Sequence, residues 1–221
     1  MRVKVCGIRT PEEVDLCVDA GVHALGFICG ITHRAEDAVD PETARRLSFR
    51  VPPFVMTVLV THLTDLPDLK GLISETWTHA VQLQGDVPVD SILHLKRRFP
   101  GRKWIKAVHV NEDGALSKAM EYAPYVDAIL LDTRTSDRLG GTGMTHDWKL
   151  SAVIRDSVSC PVILAGGLRP ENVEEAVRIV RPYAVDANSG LEDEDGFKDR
   201  EKVREFVRNA TKDSCLWSRS H

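Results

Sequence analysis

One cadence runs through the chain from end to end: a short apolar run, a loop, then a segment of helical periodicity. Val3 to Cys6, Ala24 to Ile28, Phe54 to Val60, Ala80 to Leu83, Trp104 to Val108, Val126 to Leu131, Val162 to Leu164 and Tyr183 to Asp186 are the apolar runs. They are rich in Val, Ile and Leu and too short for helices, as parallel strands buried on both faces are. Helical patterns follow each of them. The first starts well at Thr10-Pro11-Glu12-Glu13, with a capping hydroxyl, proline in the first turn and early acids, and stops at Gly21. The others are Pro41 to Phe49, Leu66 to Glu75, Pro88 to Phe99, Glu112 to Tyr122, Asp147 or Trp148 to Asp156, Pro170 to Val180 and Lys198 to Ala210. Eight strands alternating with eight helical patterns, with no linker, predict one α/β domain, a (β/α)8 barrel over residues 1–211. An open doubly wound sheet satisfies the same alternation, because periodicity fixes the order of elements and not their closure. Residues 212–221 are polar and unpatterned and are expected to fray.

Composition narrows the class of function. A hydrophobic share of 43% and a charged share of 28% are those of an ordinary globular protein, and no apolar run approaches a bilayer's thickness. The chain opens directly into strand-like sequence, so a cytoplasmic location is expected and no membrane partner. A net charge of -4 with interspersed signs offers no basic face for nucleic acid; Lys96-Arg97-Arg98 reads as the solvated end of a helix. Five scattered cysteines without a Cys-x-x-Cys pair argue against a disulfide framework and a structural zinc site. The eight histidines are dispersed, so no metal site is expected.

In a barrel of this kind the chemistry comes from the C-terminal ends of the strands. The stretch from Cys160 to Gly190 supplies two consecutive strands that end in small-residue turns, Gly166-Gly167 and Asn188-Ser189-Gly190. Such turns let an anion approach backbone N–H groups, so they read as a phosphate cup; one glycine turn alone would only be a tight connection. Cys6 ends the first strand before Gly7, where a thiol is either a small buried hydrophobe or a reactive group. Asp132 follows the run Ala128-Ile129-Leu130-Leu131, where partial desolvation would raise its pKa toward that of a general acid. Lys106 on the fifth strand raises a second class of chemistry, a Schiff-base lyase. Asp186 ends the eighth strand.

Lys4-Val5-Cys6-Gly7-Ile8, Ala24-Leu25-Gly26-Phe27, Val81-Gln82-Leu83, Leu130-Leu131-Asp132-Thr133, Gly140-Gly141-Thr142-Gly143, Asp147-Trp148, Leu164-Ala165-Gly166-Gly167-Leu168, Pro170-Glu171-Asn172-Val173 and Gly196-Phe197-Lys198-Asp199 occur in that order. Together they resemble the phosphoribosylanthranilate isomerase family of tryptophan biosynthesis, over almost the whole chain. The resemblance implies a barrel that runs a cofactor-free Amadori rearrangement of a phosphosugar. It implies Cys6 as the general base at sugar C2 and Asp132 as the general acid at the ring oxygen. Gly166, Gly167, Asn188, Ser189 and Gly190 match the family's phosphate turns. Arg34 matches a loop arginine that addresses the anthranilate carboxylate, Gln82 and Gly143 fall in matching motifs taken as substrate-facing, and Gln84 is taken as substrate-facing at a position where the family differs. A monomer and a homodimer are both compatible with it.

Four departures gather mainly where the amine binds. Thr32-His33-Arg34 stands where the family usually has Ser-Pro-Arg, Gln82-Leu83-Gln84-Gly85 where it has Gln-Leu-His-Gly, and Ala187-Asn188-Ser189-Gly190 where it has Val-Ser-Ser-Gly. The loop after Asp132 carries Arg134 and Arg138, to which the motifs assign no role. Two readings stay open: drift within an anthranilate-directed isomerase, or the same proton transfers run on another amine.

Overall fold

The computed structural model describes residues 1–32, 36–110, 114–132 and 148–212. Eight parallel strands close on themselves, each followed by a helix, and the last strand pairs with the first. In chain order they are β1 (Arg2–Val5), α1 (Pro11–Asp19), β2 (Ala24–Ile28), α2 (Pro41–Arg50), β3 (Met56–Thr61), α3 (Leu66–Thr76), β4 (Ala80–Leu83), α4 (Val89–Arg98), β5 (Lys103–His109) and α5 (Ala115–Tyr122), then β6 (Ala128–Asp132), α6 (Trp148–Ser157), β7 (Val162–Leu164), α7 (Val173–Val180), β8 (Ala184–Ala187) and α8 (Arg200–Thr211). The closed sheet removes the open alternative. Among the described residues no helix is long and apolar enough to cross a membrane.

Strand residues alternate between two cores, because successive side chains point to opposite faces. Val3, Val5, Leu25, Phe27, Val81, Leu83, Trp104 and Val108 pack outward against the helices. Ile28, Val58, Val60, Ala80, Ile105, Ala107, Leu130, Ile163 and Ala184 fill the barrel's interior together with Cys6. The first helix begins as its sequence dictates: Glu13 N–H donates to the Thr10 hydroxyl, and the Glu13 carboxylate accepts from the N–H groups of Thr10 and Arg9. Its other oxygen accepts from Lys198 N–H at 3.0 Å, which joins the first helix to the connection between β8 and α8.

Three expected boundaries move for identifiable reasons. Phe54 lies outside β3, fully exposed and with φ of 74°, as the chain leaves Pro52-Pro53 and turns into the strand. Pro170 sits in a turn ahead of α7 rather than in its first turn; there Arg169 N–H donates to Asn172 Oδ1 at 2.9 Å. Lys198 precedes α8, which starts only after Asp199 accepts from Lys202 N–H at 2.8 Å. Glu112 and residues 213–221 lie outside the described residues.

Candidate active site at the barrel mouth

The C-terminal ends of the strands surround a cavity of about 700 Å³, counting its open mouth. Cys6, Gln82, Gln84, Asp132, Gly166, Gly167, Asn188, Ser189 and Gly190 all line it, so most of the residues singled out in the sequence converge on one place. Ring order decides what they can do together. The two glycine turns follow β7 and β8; Asp132 ends β6 on one side of them, and Cys6 follows β1 on the other. β3 and β4, with His62, Gln82 and Gln84, lie across the mouth. Arg34 and Gly143 lie outside the described residues, as do Arg134 and Arg138.

The geometry of the turns suits an anion. Gly166 and Gly167 both have positive φ, 86° and 64°, and such consecutive turn residues direct backbone N–H groups into a common concavity. After β8 the chain enters a short 3-10 turn, Ser189–Leu191, which leaves its first N–H groups without intrahelical partners. The turns touch each other through Gly190, where an added Cβ would lie 2.2 Å from the Leu168 carbonyl oxygen. Asn188 has a different job from donating to the anion through its side chain. Its Nδ2 donates to Asp37 at 2.6 Å and its Oδ1 accepts from Lys198 Nζ at 2.7 Å, while Lys198 also reaches Glu192 at 2.7 Å. The side chain braces the cup against the loop after β2 and leaves the backbone to face the cavity.

On the β1 side, Lys4 within the strand and Cys6 just after it both point inward. Lys4 Nζ donates to Asp186 Oδ2 at 2.7 Å, and both side chains are almost fully buried. Burial alone would pull the Lys4 pKa down, but the charges of Asp186 and then Cys6, and hydrogen bonds to both, outweigh it and hold the ammonium. Gly26 on β2 leaves space for this arrangement: a Cβ there would lie 2.9 Å from Cys6 Sγ and 3.0 Å from Lys4 Nζ. Cys17 and Cys29 are held inert, their thiols pushed up to about 12 and about 11 by burial. Asp132 is 5% exposed at the opposite side of the turns. Gln82 and Gln84 each present a buried side-chain carbonyl oxygen with no hydrogen-bond partner among the described residues. Leaving such an acceptor unmet costs about 1–3 kcal/mol, so the pair suits a ligand with hydroxyl or N–H donors.

Lys106 is elsewhere. It alternates with the inward Ile105 and Ala107 and therefore faces the helices, with Nζ 3.7 Å from Asp86, 2.5 Å from the Ala107 carbonyl and over the Tyr122 ring at 5.3 Å. A lysine so placed cannot meet a substrate in the mouth, and the Schiff-base alternative is withdrawn. Lys4, Asp37 and His62 are the residues the sequence reading left unassigned. Strand periodicity held a signal for Lys4, two residues before Cys6 and so on the same face.

The model of the N-(5'-phosphoribosyl)anthranilate (PRA) isomerase family matches residues 3–209. A Methanosarcina mazei protein named N-(5'-phosphoribosyl)anthranilate isomerase 2 is 45% identical over 215 residues, 96% of this chain and 95% of that one. The crystal structure of phosphoribosyl anthranilate isomerase from Thermotoga maritima superposes with a TM-score of 0.84 at 37% identity, covering 96% of this chain and 99% of that one. A second such structure, in complex with reduced 1-(o-carboxyphenylamino)-1-deoxyribulose 5-phosphate, has a TM-score of 0.81 at 34% identity and the same coverage.

Proposed function

We infer the reaction from the premise that the chain belongs to the N-(5'-phosphoribosyl)anthranilate isomerase family: it isomerises N-(5'-phosphoribosyl)anthranilate to the 1-amino-1-deoxyribulose 5-phosphate, with Asp132 as acid and Cys6 as base. The observation that carries the residue roles is the ring order. A substrate whose phosphate sits on the turns after β7 and β8 extends toward β3 and β4, and so passes between Asp132 on β6 and Cys6 after β1.

The steps follow from that placement. Asp132 gives its proton to the ring oxygen as the C1–O bond breaks, and the amine lone pair moves in to form the iminium ion. The iminium acidifies C2–H, and the Cys6 thiolate takes that proton, leaving an enolamine. Uptake of a proton at C1 and loss of the enol proton give the ketone, with no net change in protons. Gln82 and Gln84 accept from donors on the sugar or from the amine N–H on the far side. Arg34 pairs with the anthranilate carboxylate, for which a planar guanidinium is suited. Backbone N–H groups of Gly166, Gly167, Asn188, Ser189 and Gly190 hold the phosphate, and Gly143 is assigned to substrate binding by the family motif alone. The Methanosarcina mazei relative is named for the same substrate, which favours drift over a changed amine at Gln84.

Turnover is tested by following the loss of substrate fluorescence with purified protein, alongside binding of the reduced ribulose-phosphate analogue. The reading predicts both. A folded protein that binds the analogue without turning over the substrate would overturn it.

We further propose a homodimer. A Thermotoga maritima relative is described as dimeric, and its structure at 33% identity is of monomers generated from that dimer. In this chain Phe49, Phe54 and Trp77 are exposed at the N-terminal ends of β3 and β4, away from the mouth, with the Phe49 and Trp77 rings 5.9 Å apart. Such an apolar cluster suits burial between two copies.

A further inference from the structure

Cys6 works as a base only when its proton is off, and its surroundings pose a problem. Besides the acid Asp132 on β6, two carboxylates border the cavity it faces, Asp37 on the loop after β2 and Asp186 on β8; His62, just after β3, is an imidazole on the far rim. Lys198 is held behind Asn188 and Glu192. Negative charge so close favours the protonated thiol, and so does burial. The offset comes from within β1. Lys4 lies two residues before Cys6 on the same inner face, its ammonium is tied to Asp186 at 2.7 Å, and it also donates to the Cys6 sulfur. Both Nζ and Sγ converge on the space left by the missing side chain of Gly26.

We infer that Lys4 is a positioning residue for the reaction: held in place by Asp186, its ammonium stabilises Cys6 as the thiolate. This rests on the reading of Cys6 as the base. A buried ion pair is a poor device for stability, because desolvation of both charges cancels most of their attraction. Here one end of the pair is spent on orientation and the other on a third group. Asp186 receives the ammonium from one side and fixes the direction in which it is presented; the sulfur receives it from the other. The Lys4–Asp186 pair is then an electrostatic part of the active site rather than a staple of the barrel.

The test is a pH titration of Cys6 in wild-type protein and in Lys4→Met, read in two ways. One is the rate of iodoacetamide alkylation, followed by mass spectrometry of the Cys6 peptide; Cys17 and Cys29, held near 12 and 11, serve as slow internal references. The other is kcat/KM for the isomerisation. Because Lys4→Met strands the Asp186 carboxylate and can fail to fold, Lys4→Met/Asp186→Asn, which removes both charges, is measured beside it. Activity requires the thiolate, so kcat/KM falls as pH drops through the Cys6 pKa. Removing the ammonium moves that limb, and the alkylation midpoint with it, to higher pH by at least about one unit. At pH values below the wild-type midpoint a move of about one unit lowers kcat/KM about tenfold, and activity returns at alkaline pH. Unmoved midpoints with a pH-independent loss of activity would overturn the inference and leave Lys4 a structural residue. Cys6→Ser separates this from the premise: an active Cys6→Ser removes Cys6 as the base, whereas the alkylation midpoint still reports what Lys4 does to the thiol.

Discussion

Gly190 is where the proposed phosphate cup can be broken with one methyl group. In Gly190→Ala the new Cβ would lie 2.2 Å from the Leu168 carbonyl oxygen and 3.1 Å from both the Leu168 carbonyl carbon and Arg169 Cβ. Ordinary contact begins near 3.4 Å. The obstacle is backbone, so the two turns must separate by roughly 1 Å rather than yield a side chain. N–H groups that met the phosphate at ordinary hydrogen-bond length would then stand beyond it on one side. Losing one charge-assisted bond of about 2 kcal/mol corresponds to about 30-fold in Kd. Strain in the fold adds a loss of about 1–3 kcal/mol in stability, to be measured separately by thermal unfolding. Isothermal titration with the reduced ribulose-phosphate analogue should show the weakening, and steady-state kinetics should show it as a raised KM. A folded Gly190→Ala protein with wild-type affinity would refute the assignment of these turns to the phosphate.

The remaining substitutions probe other parts of the account. Gly26→Ala forces Cys6 Sγ and Lys4 Nζ to move, since the added Cβ would lie about 3 Å from each; kcat should fall by about 10–100-fold with KM held, as small misplacements of reacting groups do. Lys106→Met should keep kcat within about threefold and lower the melting temperature, because this lysine packs among Asp86, Ala107 and Tyr122 behind the barrel wall; borohydride with keto substrates should trap no adduct on it. Phe54→Asp should turn a dimer into a monomer in sedimentation velocity with turnover retained, since the residue lies at the face opposite the mouth.

The barrel was legible because its determinants are local: short buried strands, Thr10 as a helix start, and an unbroken alternation. Cys6, Asp132 and the glycine turns were legible because they stand at strand ends, where a barrel keeps its chemistry. Closure was not, since the pairing of β1 with β8 joins residues at the two ends of the chain. That pairing also hid Lys4: as a lone strand lysine it says nothing, and its partner Asp186 is 182 positions away. Lys106, also on a strand, looked equally suggestive and faces the other way, a matter of one residue's register. Phe54 misled because its aromatic, β-favouring side chain follows two prolines that set up a turn. That the Asn188 amide is committed to Asp37 and Lys198 was not legible either, since both partners reach it only through the fold.

The central claim is that Cys6 and Asp132 carry the two proton transfers from opposite sides of the phosphate turns. Its most direct test is the turnover of Cys6→Ser and Asp132→Asn, each measured with analogue affinity on the same preparation. The account predicts a fall in kcat of about 10²–10⁴-fold in each, with analogue Kd close to wild type, as expected when a proton-transfer group is lost and the binding site is not. Either variant turning over at the wild-type rate would contradict it.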